Sequence, residues 1–184
     1  MRNAARSAGI EALWAKSPRQ EGQSEAEYHP LVCHLRDVAA VAEALWDLWL
    51  KPPVRRRVAR TLGLEEPHAR KWTAWLAGLH DLGKASPAFQ YQWAPGWRRL
   101  EDLGLGQRVE VKVHHGVIGA SVIPLALVAR GVPLRAANAL AGAVAGHHGV
   151  FANDAAVCAV GPSARGEGAW DDLRARLAVT AQSR

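Results

Sequence analysis

Residues 78 to 86 read GLHDLGKAS, and two chemistries compete for them. Gly78, four residues, then Gly83-Lys84 nearly spells the glycine loop that cradles nucleotide phosphates. The same stretch holds His80-Asp81, an adjacent imidazole and carboxylate able to ligate a metal ion. The phosphate loop needs a strand feeding a glycine turn that opens a helix, so that backbone N–H groups point at the anion. Here the preceding WTAWLA has helical period, and Ala85 replaces the hydroxyl residue that would hold Mg²⁺. Asp81 would also lie inside the loop and repel phosphate oxygens. The metal reading survives.

A metal needs further ligands, and the chain has eight histidines. His34 falls inside one helical segment, His80 and Asp81 end another, His115 precedes a third, and His147-His148 close a fourth. Imidazole and carboxylate together suit Zn, Mn, Fe, Ni or Co better than Ca or Mg alone. A carboxylate can bridge two ions, and ions about 3.5–4 Å apart can clamp the attacking and leaving oxygens of a phosphoryl displacement. Lys84 would add positive charge beside a phosphate. Each residue also has a plainer reading. A histidine on an apolar stripe is commonly a hydrogen-bonded core residue, His114-His115 and His147-His148 can arise by composition, and Lys84 can be a solvated surface lysine. Spacing alone does not bring the candidates together in space.

The elements that must position them are helical, and the fold class is all-α. LVCHLRDVAAVAEALWDLWL places His34, Val38, Val41, Leu45, Leu48 and Trp49 on one stripe, stopped by Pro52-Pro53. VRRRVARTLG is a short basic helix capped by Gly63. HARKWTAWLAGLHDL carries Trp72, Trp75, Leu76, Leu79 and His80 on one face. Ser86-Pro87 has the form of an N-cap and first-turn proline, opening a brief helix through Trp93. Residues 94 to 113 show glycines and little periodicity, which predicts a loop over the site. GVIGASVIPLALVARG is a helix that Pro124 should kink, Pro133 opens another ending at His147-His148, and GAWDDLRARLAVTA is the last. No run alternates as a strand. The tryptophans belong mainly to the core, with Trp93 and Trp97 near the expected loop as the ones able to stack on bases.

The 184 residues suit one domain, 49% apolar and 22% charged. A formal charge of +6 and a pI near 9.9 favour an anionic partner, nucleic acid being the commonest. Cys33 and Cys158 stand far apart without a CxxC, which predicts buried thiols in a reducing compartment. The longest apolar run contains Pro124 and is too short to span a bilayer. A soluble, cytoplasmic protein with no membrane partner is the expectation.

Four motifs in order, HPLVCHLRDVAAVA, WLAGLHDLGKASPAFQ, HHGVIGAS and AGHHGVF, resemble the HD-superfamily nuclease domain of the type I CRISPR interference helicase-nuclease. The likeness runs from about Leu13-Trp14 to Phe151. It implies an HD-domain helical bundle that cuts single-stranded DNA with two divalent transition-metal ions (Mn, Ni, Co or Fe). It implies one ion held by His34, His80 and Asp81, and the other by Asp81, His115, His147 and His148. Asp81 and Lys84 would be catalytic, and His115 rather than His114 the ligand. The implied partners are single-stranded DNA, a helicase domain either fused or separate, and an RNA-guided surveillance complex.

The family completes its first metal shell with a later aspartate, and no convincing match stands in this chain. Asp171 and Asp172 are the downstream acids in a helical setting, with Asp154 a weaker candidate. The expectation is therefore a single HD nuclease domain over residues 1–184, either the N-terminal part of a longer helicase-nuclease or a domain truncated before its last metal-binding aspartate. Two other functions compete with the nuclease. One is an HD-type phosphohydrolase of nucleotides, and the other a catalytically incomplete docking module for a helicase or surveillance complex.

Overall fold

The computed structural model describes residues 9–18, 28–107, 109 and 112–181. A helical turn at residues 9–12 (α1) leads into β1 (Trp14–Lys16), which pairs antiparallel with β2 (His29–Pro30). Then follow α2 (Leu31–Leu48), α3 (Pro52–Leu62), α4 (Glu66–Gly78), a 3₁₀ turn (Leu82–Lys84) and α5 (Pro87–Gln90). The chain continues with α6 (Ala94–Asp102), α7 (His115–Val128), α8 (Leu134–Ala145), α9 (Asp154–Cys158), α10 (Pro162–Arg165) and α11 (Ala169–Thr180). The all-α class holds. The small ribbon escaped the sequence because strands of three and two residues are too short for alternation to show. Among the described residues no helix is long and apolar enough to cross a membrane.

Helices α2 and α4 form the first half of the scaffold, and their contact overturns the expected α2 stripe. Val41, Leu45, Leu48 and Trp49 are exposed, and the buried seam is Leu31, Leu35, Ala39 and Trp46. The reason is close approach. A Cβ at Gly78 would lie 3.1 Å from the Leu35 carbonyl and 3.2 Å from Ala39 Cβ. Small residues at the crossing, Ala39 opposite Gly78, let the two backbones meet, which turns that side of α2 inward. Arg70 of α4 ties the outer edge to α2 through Glu43 (3.1 Å) and Asp47 (2.6 Å).

The second half is the α7–α8 pair. Gly116 and Gly119 of α7 face Ala145 of α8, and Ala137, Ala141 and Ala145 are buried there. The 3₁₀ turn joins the halves: Gly83 lies so close to α7 that an added Cβ would overlap the His115 carbonyl oxygen and the Gly119 backbone. Behind the turn, Leu79, Leu82, Ile118, Ile123 and Leu177 are fully buried. The indole N–H of Trp75 donates to the Ala178 carbonyl at 2.7 Å, and Arg130 lies over the same ring.

Two buried polar side chains fix the end of the turn. Gln90, with no exposure, accepts from the Trp14 N–H at 3.1 Å and donates to the Trp14 and Lys84 carbonyls, both at 2.9 Å. Arg174 donates to the carbonyls of Ala85 (2.9 Å), Arg165 (2.7 Å) and Gly166 (2.8 Å). Burial pushes its guanidinium pKa down, while Asp171 beside it opposes the change.

Four further expectations change. Residues 94–102 form α6, a helix of nine residues whose inward stripe is Gly96, Trp97 and Leu100; a proline and a glycine in its first turn hid the period. Of the expected loop only residues 103–113 remain, with 108, 110 and 111 outside the described residues. Ser86 does precede Pro87 at N1, but its hydroxyl donates back to the Gly83 carbonyl at 2.7 Å instead of capping α5, which ends at Gln90. Cys33 and Cys158 are exposed, not buried. Trp97 is buried with its N–H on Glu101, and Trp93 packs against Trp14 and Tyr28, so neither is free to stack on a base.

Gly83→Ala should cost about 2–4 kcal/mol, because the new methyl meets backbone on a neighbouring helix rather than a movable side chain. Urea unfolding measures it, and a loss under about 0.5 kcal/mol would contradict the close approach. Gln90→Leu, similar in size, strands three buried backbone groups and should cost a comparable amount, about 2–4 kcal/mol. A near-neutral Gln90→Leu would show that these groups find other partners.

Candidate metal centre

Asp81 sits where α4 gives way to the 3₁₀ turn, at φ −104° and ψ 15°. The bend aims its carboxylate between the two helical halves, with only 4% of the side chain exposed. Oδ2 has His34 Nε2 at 2.9 Å, Lys84 Nζ at 2.8 Å and His80 Nε2 at 3.2 Å. Oδ1 faces His115 Nε2 at 3.2 Å and His147 Nε2 at 3.5 Å. The structure thus brings together His34, His80, Asp81, Lys84, His115, His147 and His148 from α2, the α4 end, the turn, and the facing ends of α7 and α8.

Electrostatics follows from the crowding. Burial works against ionisation of Asp81, but the imidazoles of His115, His34 and His80 outweigh it and hold the carboxyl far below the usual carboxylate range. Burial holds His147 below its usual value, against the pull of Asp81. A histidine kept neutral offers a lone pair at neutral pH.

The donor set fits divalent metal ions. Asp81 Oδ1 is buried without an aligned hydrogen bond, since His115 and His147 approach it at ion-pair distance only. The ring Nδ1 of His80 lies 3.0 Å from the Ala77 carbonyl and that of His147 lies 3.1 Å from the Val144 carbonyl. A carbonyl can only accept, so each Nδ1 carries a proton, and Nε2 is the ring atom that each histidine has available for a cation. His115 Nε2 and His148 Nε2 stand 3.1 Å apart, an arrangement natural to two imidazoles turned toward one cation. Two ligand groups result, His34–His80–Asp81 and Asp81–His115–His147–His148, each with its ligand atoms within 4.8 Å of one another. Asp81 belongs to both.

Lys84 is not a solvated lysine. Its side chain is 11% exposed, and its ammonium donates to the Ala15 carbonyl at 3.3 Å as well as meeting Asp81. The Trp14–Gln90 contact therefore holds both ends of Lys84, its carbonyl directly and its ammonium through β1. Sequence reasoning missed Gln90, because a hydrogen bond across 76 residues leaves no local signal. His114 is the N-cap of α7, its Nδ1 accepting from the Gly116 N–H at 3.2 Å. That role separates it from His115, which points inward.

The downstream acids lie elsewhere. Asp171 accepts from the Gly168 N–H at 2.9 Å and pairs with Arg174 at 2.6 Å. Asp172 and Asp154 are exposed, and none of the three joins either ligand group. The first group therefore has three protein ligands among the described residues, and the second has four.

Residues 14–184 match the family described as "Cas3, HD domain". A CRISPR-associated endonuclease/helicase Cas3 of Thermus thermophilus is 45% identical over 145 residues, which cover 77% of this chain and 15% of the relative. This chain thus spans about a seventh of that protein's length. A crystal structure of a CRISPR-associated protein superposes at TM-score 0.88 and 36% identity, over 97% of this chain and 20% of its own. The Thermus thermophilus Cas3 HD domain, crystallised in the presence of Ni²⁺, superposes at TM-score 0.67 and 35% identity, over 92% of this chain and 62% of its own. Fold and sequence agree: the chain belongs to the Cas3 HD-domain family.

Proposed function

We propose that this chain is a metal-dependent nuclease that hydrolyses phosphodiesters of single-stranded DNA in type I CRISPR interference. The observation that supports it most is one buried carboxylate, Asp81, shared by two histidine groups. His34, His80 and Asp81 would hold one divalent ion, and Asp81, His115, His147 and His148 the other. Mn, Ni, Co or Fe would suit this donor set. When bound, such ions supply Lewis-acid stabilisation of the charge that gathers on phosphate oxygens during displacement. With four protein ligands against three, the second position should load more tightly.

The protein's own part is placement and charge. The Nδ1–H donations of His80 and His147 to backbone carbonyls fix the ring orientations. Asp81 is kept ionised by its imidazole neighbours. Lys84 balances the carboxylate and stands ready to balance a phosphate at the same place, so we assign it a catalytic role with Asp81. Residues 147–151 are exposed, leaving the His147–His148 side open for a strand to approach. A basic protein of charge +6 would favour that approach. The openness supports a polymeric substrate over a small nucleotide, which needs enclosure.

In this reading the chain is the nuclease unit of a helicase-nuclease whose helicase is fused or separate, acting in the cytoplasm. The named Thermus relative joins both activities. The strand would come from DNA opened by an RNA-guided surveillance complex.

Circular single-stranded DNA should be nicked in the presence of Mn²⁺, Ni²⁺ or Co²⁺, and EDTA should stop the reaction. Asp81→Ala should lower the rate by at least about 10³-fold, since one substitution removes a ligand from both groups. Gel analysis of nicked and linear products reads both arms. EDTA-resistant cleavage, or full activity in Asp81→Ala, would contradict the reading.

A further inference from the structure

Helix α3 has one face that the fold uses and one that it does not. Val58, Ala59 and Leu62 pack inward with Trp46 and Ala69. Arg55 locks the α2–α3 corner by donating to the Leu50 carbonyl at 2.7 Å and the Asp47 carbonyl at 2.9 Å. Arg56, Arg57 and Arg60 point outward, with Lys51 just before the helix, and all four are exposed. None of them pairs with an acid among the described residues, and α3 itself contains no acid.

Helix stability does not explain this face. Arg60 follows Arg56 by four residues and Arg57 by three, so like charges are neighbours and weaken the helix. A solvated helix face ordinarily mixes signs, which is the plain alternative for a charged run. Here every charge has one sign.

The apolar stripe that the core rejected ends at Trp49, two residues before Lys51, where this face begins. Val41 (58% exposed), Leu45 (47%), Leu48 (81%) and Trp49 (79%) recur at helical spacing along the outer side of α2. Helix α2 also carries His34, fifteen residues before Trp49, a distance of about 22 Å along the helix axis. Helix α2 therefore joins the metal centre, at His34, to an exposed apolar and aromatic end beside the positive face of α3, with two exposed acids, Asp37 and Asp47, along its length. Aromatic stacking surface beside cations is what a single nucleic-acid strand requires. Protein seams also use Trp and Arg, but four exposed like charges on a face without an acid suit a polyanion.

We propose that the outer faces of α2 and α3 form a track for single-stranded DNA leading to the metal centre. Phosphates lie on Lys51, Arg56, Arg57 and Arg60, and bases rest on Leu48 and Trp49. The inference rests on the nuclease reading for the identity of the strand.

The test is binding of a fluorescent oligothymidylate of about 20 nucleotides by the full chain in EDTA, across a salt series, by anisotropy. Replacing Arg56, Arg57 and Arg60 together by Gln should weaken binding about tenfold or more. It should also reduce the slope of log K against log salt by about 2, at roughly 0.7 per phosphate contact. Trp49→Ala should weaken binding about tenfold while leaving the slope unchanged. Both variants should hydrolyse bis(4-nitrophenyl) phosphate with Mn²⁺ at the wild-type rate, because that small diester reaches only the metal centre. Unchanged affinity and slope in both variants would overturn the proposal and leave the face to a protein contact. So would loss of small-diester hydrolysis alongside the binding defect, which would trace the defect to the centre. The nuclease reading is judged separately, on wild-type cleavage with metal. Absence of cleavage with the predicted binding changes would sink that reading and leave the track standing.

Discussion

A single buried carboxylate organises this molecule. Asp81 has almost no access to water, yet it is held ionised by imidazoles on both oxygens and an ammonium on one. An isolated buried charge would be costly. The cost is met by groups drawn from four separate segments, so the fold must deliver His34, the His80–Lys84 turn, His115 and the His147–His148 pair to one point. Closed without any of them, the core would contain an uncompensated charge.

Delivery depends on close backbone contact more than on large side chains. Gly78 brings the end of α4 against α2, and Gly83 sets the turn against the first residue of α7. Alanines along α8 then let its C-terminal end, with the paired histidines, reach the same point. Gln90 and Arg174 hold the turn from behind through backbone carbonyls, not through the ligands themselves. The centre is thus braced by parts that carry no metal chemistry, and Lys84 links the two, its ammonium reaching both Asp81 and the β1 carbonyl of Ala15.

Much of this was legible in the sequence. The His80-Asp81 pair, the paired histidines and His34 are local patterns of residue types that suit metal, and helical period located their carriers. What sequence could not show were distances set by absence of bulk. The α2 seam runs through Leu31, Leu35, Ala39 and Trp46, and it was Ala39, set against Gly78 of α4, that the apolar pattern gave no reason to turn inward. Helix α6 was hidden by a proline and a glycine in its first turn. The Gln90–Trp14 bond joins residues 76 apart, and no spacing rule reaches that far. His114 and His115 were distinguished by resemblance alone; the structure supplies the reason, an N-cap on one and an inward ring on the other.

The central claim is that Asp81 serves two metal positions at once. Titration of the full chain with Co²⁺ by calorimetry tests it directly, using wild type, Asp81→Ala and His148→Ala, each verified as folded by circular dichroism. Wild type should show two binding events, the tighter belonging to the four-ligand group. His148→Ala should weaken the tighter event alone, and Asp81→Ala should abolish both. A folded Asp81→Ala that keeps either event at wild-type affinity would contradict the account.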